Sequence, residues 1–309
     1  MTTTTQIRTG GTIVAGLPFP EFRHIAVQPM TGACGCEISG VDLREPLSDS
    51  VLEEVMQAFN HFGVIVFRHQ DITPEQHKAF SRYFGELTEL PQAPTYGNHE
   101  DMQEVRREAD EPDSVVPSFE TFHVDSPFLP RPPKCIIMRA LDVPRFGGDT
   151  AFSNAYLVYE DLSDAMKELL EGLQVVYSGK HIWANNEKLP PERRLRLRDH
   201  HQFTEDQLES AHPVVRVNPE TGRKGLFATT SYFQRFVGWS QEESRVLLDH
   251  LQGLFQRLHY HCRVKWEKDT LIVWDNRFTL HRGVHDYANE RRHLIRTTVI
   301  GERPIGPKD

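Results

Sequence analysis

A mainly β protein, a sandwich or barrel buttressed by helices, is what this sequence predicts, on three observations. Short apolar or alternating runs recur between Gly- and Pro-bearing turns. The strongest helical periodicities sit towards the two ends of the chain. No internal repeat and no linker divides it.

Taken in order, residues 1–20 are rich in Thr, Gly and Pro and read as a flexible arm ahead of a single domain over 21–309. Strand-like stretches follow at His24 to Val27 and Cys36 to Val41. Ser50 and Glu53 form a capping box, and Leu52, Val55, Met56 and Phe59 repeat at helical spacing, so this helix buries one face. Gly63 stops it, and Val64-Ile65-Val66-Phe67 is a continuous apolar strand. Thr73-Pro74-Glu75-Gln76 opens a second helix that Gly85 ends. From Pro91 to Glu120 the pattern dissolves into polar loop. Strands resume around His123 and at Cys135 to Arg139, and Gly147-Gly148-Asp149-Thr150 turns into Ala151-Phe152. A helix over Ser163 to Leu170 precedes a strand at Gln174 to Ser178. Residues 180–213 are a charged insertion without period. Ser240 to Glu243 caps a long helix striped by Leu247, Leu248, Leu251, Leu254, Phe255 and Leu258, and strands at 262–266, 270–274 and 294–300 close the chain.

Bulk properties bound the function. A net charge of −9 argues against nucleic acid or an anionic membrane as partner. The N-terminus has no apolar signal core, and no run approaches the ~18 apolar residues of a membrane span. Four cysteines are too scattered for a disulfide framework, so a soluble, cytoplasmic protein is expected.

Two histidine clusters 158 residues apart carry the chemistry: Thr121-Phe122-His123-Val124-Asp125, and Trp274-Asp275-Asn276-Arg277-Phe278-Thr279-Leu280-His281. Two imidazoles and one carboxylate are the set that holds Fe(II) on one face and leaves other positions open. Alternate strand residues share a face, so His123 and Asp125 can aim at one point, with His281 arriving from just after the Leu271 to Trp274 strand. Arg292 and Arg296 are four apart in a predicted strand, on one face and roughly 13 Å apart. Buried arginines with no adjacent acid call for an anion, such as the carboxylate of an organic co-substrate. Phe119, Phe122 and Phe128 are either plain core or the lining of an apolar substrate pocket. His259-Tyr260-His261, His200-His201 and the pair His281/His285 carry weaker metal signals, and Cys34-Gly35-Cys36 lacks the second pair of a zinc site.

The sequence resembles the taurine dioxygenase family of Fe(II)- and 2-oxoglutarate-dependent oxygenases from about Ile25 to Pro304. The resemblance is carried by Gly40-Val41-Asp42-Leu43, His123-Val124-Asp125, Gly147 to Thr150, Trp274 to His281, and Arg292 to Arg296. It implies a double-stranded β-helix, or jelly roll, with iron on His123, Asp125 and His281. It also implies that 2-oxoglutarate chelates the iron and rests its distal carboxylate on Arg292 and Thr150, while Arg296 takes the acid group of the primary substrate. The implied partners are O2 and a small anionic organic substrate, and a homo-oligomer is expected. Phe22 to Pro29, Arg106 to Ala109 and Ile137 to Ala140 look most like aryloxyalkanoate dioxygenases, which cleave their substrates through a hemiacetal. His212 to Val217 and Glu243 to Leu247 are closer to alkylsulfate-cleaving relatives. An aryloxyalkanoate is the first expectation, an alkylsulfate or sulfonate the second. Taurine-specific members carry His and Tyr after Gly-Glu-Leu. This chain has Leu90 and Ala93, which would leave an aminosulfonate without partners. A zinc hydrolase using the same His/Asp/His set is the rival from another class, and it gives no reason for Arg292 and Thr150.

Overall fold

The computed structural model describes residues 13–89, 94–110, 121–188, 204, 207–287 and 289–309. Its centre is a nine-stranded sheet. Along the sheet lie Ala26–Pro29, Cys36–Ser39, Val64–Phe67, Leu271–Asp275, Cys135–Asp142, Arg292–Val299, His99–Arg107 and Thr95–Tyr96, with Leu87–Thr88 also pairing to Arg292–Val299. All neighbours are antiparallel except Cys36–Ser39 with Val64–Phe67.

The continuous apolar runs are explained by burial on both faces of this sheet. Ile65, Phe67, Ile137, Leu271 and Val273 pack with Val55, Phe59 and Phe62 of the Asp49–Phe62 helix and Phe80 of the Pro74–Ser81 helix. The alternate residues Val64, Val66, Ile136, Met138, Ile272 and Trp274 pack instead with Phe152, Cys262 and Val264. Those last three belong to a second sheet, His261–Val264, Thr150–Asn154 and Thr279–Gly283 in that order. A sheet on a sheet with helices outside is the jelly-roll architecture the sequence led us to expect. A third sheet, Glu209–Pro213, Gln174–Ser178 and Phe233–Phe236, packs with the Gln241–Phe255 helix through Tyr177, Phe236, Leu248 and Leu251.

Several boundaries differ from expectation. Residues 13–18 are not part of a loose arm: Ile13–Val14 pairs with Leu17–Pro18, and the buried Ala15 donates its N–H to Gly32. The first helix is capped by Ser48, not Ser50, because Asp49 already has helical geometry and Ser48 accepts from the Val51 N–H. Gly63 ends it at φ 69°, where a side chain would strike Thr279 Oγ1 at 2.7 Å. The polar stretch after Pro91 contains the strand His99–Arg107, which is only partly buried and so lacks an apolar signature. The insertion carries a helix, Ile182–Glu187, and ends in the Glu209–Pro213 strand. Leu258 lies past its helix and is 85% exposed. Thr279–Gly283 is a strand in its own right, which puts His281 at its middle.

The buried histidines of this scaffold make its stability depend on pH. His77 lies beneath its helix, with Nε2 donating to the Ile137 carbonyl at 3.1 Å. Burial pushes its pKa down to about 4, and burial does the same for His212. Both imidazoles therefore stay neutral in the folded chain while the unfolded chain takes up protons below about 6.5. Stability contributed by each is complete above that value and is lost as pH falls towards 4, by about 1.4 kcal/mol per pH unit per group. Urea unfolding of His77→Gln should show a shallower loss between pH 6.5 and 4.5 than the native protein. Equal slopes would mean that His77 does not titrate on unfolding.

Candidate metal centre

His123 and His281 are joined through their backbones. The N–H of His123 donates to the carbonyl of His281 at 2.9 Å, and the reverse bond is 2.8 Å. Where the sequence predicts a short strand around His123, the structure has this isolated bridge. It brings the two rings to 4.3 Å between centroids. Asp125, two residues on, points the same way, with Oδ1 at 3.8 Å from His123 Nε2 and 3.9 Å from His281 Nε2. The three ligand atoms lie within 4.8 Å of one another, and all three residues are buried. Among the described residues this is the one group of three or more metal-ligating side chains so arranged.

His123 and Asp125 are held from behind, whereas the Nδ1 of His281 is buried without a hydrogen-bond partner. His123 Nδ1 donates to the Thr121 carbonyl at 3.0 Å, which fixes the tautomer and leaves the Nε2 lone pair facing inward. Asn276, wholly buried, accepts the Asp125 N–H at 2.8 Å and donates to the carbonyls of Asp125 at 3.1 Å and Pro133 at 3.2 Å. Arg296 Nη1 donates to Asp125 Oδ2 at 2.7 Å, so only Oδ1 faces the imidazoles. This corrects the expectation that the paired arginines have no acid beside them: a carboxylate 171 residues away supplies one for Arg296. Arg296 Nε remains buried without an acceptor.

The electrostatics suit a divalent metal. Burial drives His281 down to about 3, with the neighbouring His123 reinforcing it. Burial also lowers His123, against the opposing pull of Asp125. For Asp125 burial acts upward, but Arg296 and the imidazoles outweigh it and hold the carboxyl below its usual range. Two neutral imidazoles and one carboxylate are thus ready as ligands at neutral pH, the chemistry of a facial Fe(II) site with open positions.

Arg292 and Thr150, the residues expected to take an anion, are brought together through Trp266. Gly147 and Gly148 both adopt positive φ, 71° and 69°, and the turn they allow presents the Gly148 carbonyl to Arg292 Nε at 3.1 Å. Among the described residues the two Nη groups of Arg292 meet no acceptor. Thr150 Oγ1 accepts the indole N–H of Trp266 at 3.0 Å. A desolvated guanidinium with both Nη groups free fits the distal carboxylate of 2-oxoglutarate.

Other expected residues fall elsewhere. Phe122 alternates with His123 and so points away from the ligands; its ring packs on His261 at 4.6 Å, with Arg282 over it, inside the core. Phe119, Leu90, Ala93, His200 and His201 lie outside the described residues. His261 bonds the Phe255 carbonyl and joins no metal cluster among the described residues, and the four cysteines are unbridged and buried. The sequence reading missed Tyr232, a non-glycine residue at φ 64° whose ring packs edge-on against Phe128 at 4.9 Å. Its hydroxyl is close enough to feel both Asp125 and Arg296, and burial keeps it protonated. No periodicity or motif announces such a residue.

A family model described as "Taurine catabolism dioxygenase TauD, TfdA family" matches residues 26–298. The chain is 32% identical over 290 residues to an alpha-ketoglutarate-dependent sulfate ester dioxygenase of Pseudomonas putida, covering 93% of each. It is 28% identical to an alpha-ketoglutarate-dependent 2,4-dichlorophenoxyacetate dioxygenase of Cupriavidus pinatubonensis, covering 91% of this chain and 99% of the relative. A crystal structure of a taurine dioxygenase from Burkholderia xenovorans superposes with a TM-score of 0.76 at 31% identity, covering 93% of this chain and 94% of that one.

Replacing His123, Asp125 or His281 by Ala should abolish stoichiometric Fe(II) binding, measured by equilibrium dialysis, while far-UV circular dichroism stays unchanged. Native-level iron binding by Asp125→Ala would remove that carboxylate from the site.

Proposed function

The chain belongs to the TauD/TfdA family and is a 2-oxoglutarate-dependent non-heme iron dioxygenase; from that premise we propose that it oxidises a small organosulfate at the carbon bearing the ester oxygen. The observation that carries the anionic substrate class is the half-satisfied Arg296: one edge holds Asp125, while Nε is buried beside the metal ligands with no acceptor. A buried N–H without an acceptor is costly, and an anionic group of the substrate would supply one. The choice of sulfate over aryloxyalkanoate rests on similarity, 32% against 28% identity. Of the segments that suggest a branch, Arg139 is an ion-pair hub with Asp71 and Asp269, and His212 and Arg216 pack around Phe227. These three residues have structural partners and do not decide between the branches.

In this reading His123, Asp125 and His281 hold Fe(II), and Arg292 with Thr150 holds 2-oxoglutarate by its distal carboxylate. When bound, iron and 2-oxoglutarate supply the oxidising power, O2 being divided between succinate and a new substrate hydroxyl, with loss of CO2. Arg296 receives the sulfate, and the partly exposed ring of Tyr232, backed by the buried Phe128, faces the body of the substrate. The protein's contribution is to place one C–H bond and keep water out. The hydroxylated carbon, still bearing the sulfate oxygen, collapses: its O–H proton leaves with sulfate as hydrogensulfate, and an aldehyde remains. A zinc hydrolase would need neither the free guanidinium of Arg292 nor O2.

Two measurements test this. Lysine cannot reproduce a two-pronged guanidinium–carboxylate pair. Arg292→Lys should therefore raise the KM for 2-oxoglutarate at least ten-fold, with little change in that for the primary substrate; an unmoved co-substrate KM would put the anchor elsewhere. In the native enzyme, succinate formation should be greatest with a medium-chain alkyl sulfate, with equimolar release of inorganic sulfate and aldehyde. A neutral methyl ester of an aryloxyacetate should be turned over roughly 10- to 150-fold less efficiently than the free acid, the value of a lost charge-assisted contact. Neutral substrates isolate the anion contribution because an Arg296 variant would also disturb Asp125. Preference for the aryloxyacetate over the sulfate would favour the second reading, and equal use of acid and ester would remove anion selection altogether.

A further inference from the structure

Trp266 stands in the loop between His261–Val264 and Leu271–Asp275, 3% exposed, and it touches both halves of the anion site. Its indole N–H donates to Thr150 Oγ1 at 3.0 Å, and its ring lies 5.9 Å from the guanidinium carbon of Arg292, within cation–π range. An indole nitrogen can only donate, whereas a threonine hydroxyl has one hydrogen and two lone pairs. Accepting from Trp266 therefore occupies a lone pair of Thr150 and leaves its hydrogen to be given away. Among the described residues that hydrogen has no acceptor, and neither do the Nη groups of Arg292.

We propose that Trp266 is a positioning residue of the co-substrate site: it turns the Thr150 hydroxyl into a dedicated donor towards the distal carboxylate of 2-oxoglutarate and steadies Arg292 on its ring face. The proposal rests on the reading of Thr150 and Arg292 as the anchor. Trp266 touches no carboxylate itself. It acts by removing alternatives: without the indole, Thr150 can rotate and the guanidinium loses its platform. The strand geometry supports this division of labour, because Thr150 is pinned between Val264 and Gly283 in the second sheet and only its side-chain torsion remains to be set.

The test is calorimetric titration of 2-oxoglutarate into the Fe(II)-loaded protein without oxygen, so that binding is read apart from turnover. Trp266→Phe, which keeps a ring but no donor, should weaken 2-oxoglutarate roughly ten-fold, with Fe(II) affinity and the KM of the primary substrate unchanged. Thr150→Val should weaken it at least as much, and adding Trp266→Phe to Thr150→Val should cost little more, since the two act through one hydrogen bond. Thr150→Ser, which keeps the hydroxyl, should bind near the native level. If Thr150→Val leaves affinity untouched, the anchor reading itself falls. If Thr150→Val weakens binding while Trp266→Phe does nothing, or multiplies fully with it, the anchor stands and the role of Trp266 is overturned. Should Trp266→Phe fail to fold, the native protein answers by nitrogen-15 resonance with Zn(II) in place of iron. One indole N–H signal should shift on adding 2-oxoglutarate and should not shift in Thr150→Val; no shift in the native protein would overturn the proposal.

Discussion

Two backbone hydrogen bonds between His123 and His281 are the constraint on which the site depends. They are ordinary sheet bonds, but they join segments 158 residues apart and fix two ring positions at once. Once the histidines face each other, the alternation of an extended chain places Asp125 beside them and Phe122 on the far side. Asn276 then closes a second link, taking both the N–H and the carbonyl of Asp125 from the turn that precedes the His281 strand. The ligand geometry is thus written in main-chain pairing, which packing cannot easily deform. Side chains only select the tautomer and the carboxylate oxygen.

The second organising fact is the placement of buried cations. Arg277 is fully enclosed and answered by Asp275, Glu220 and Glu302, an ion-pair group that anchors the turn holding Asn276. Arg139 is likewise answered by Asp71 and Asp269. Arg296 is answered by Asp125, and its Nε is buried without an acceptor, as is that of Arg139. Arg292 differs from all of these: among the described residues it has no carboxylate partner, and only its Nε is taken up, by the Gly148 carbonyl.

The β-rich class, the two early helices, the Gly63 stop of the first and the capping box of Ser240 with Glu243 were legible because each rests on contacts within a few residues; the second helix ends at Ser81, ahead of the Gly85 expected to stop it. The triad was legible because ligand chemistry restricts residue type so severely. The strand Thr279–Gly283 was not, since half of it lies inside a motif read for its chemistry and its polar residues hide the period. His99–Arg107 was missed because a partly exposed strand need not be apolar. Ser48 and Ser50 compete as caps within one turn, and only backbone geometry separates them.

By itself, then, the sequence determined the types of the candidate ligands and the family to which the chain belongs, because these follow from residue identity and short spacing. Tertiary structure alone decided which carboxylate answers Arg296, that Tyr232 reaches the site in a left-handed conformation, and that Trp266 joins Thr150 to Arg292. Each of these is a contact between side chains on separate elements or a backbone torsion. Such quantities are fixed by the register of distant strands, and no local pattern encodes that register.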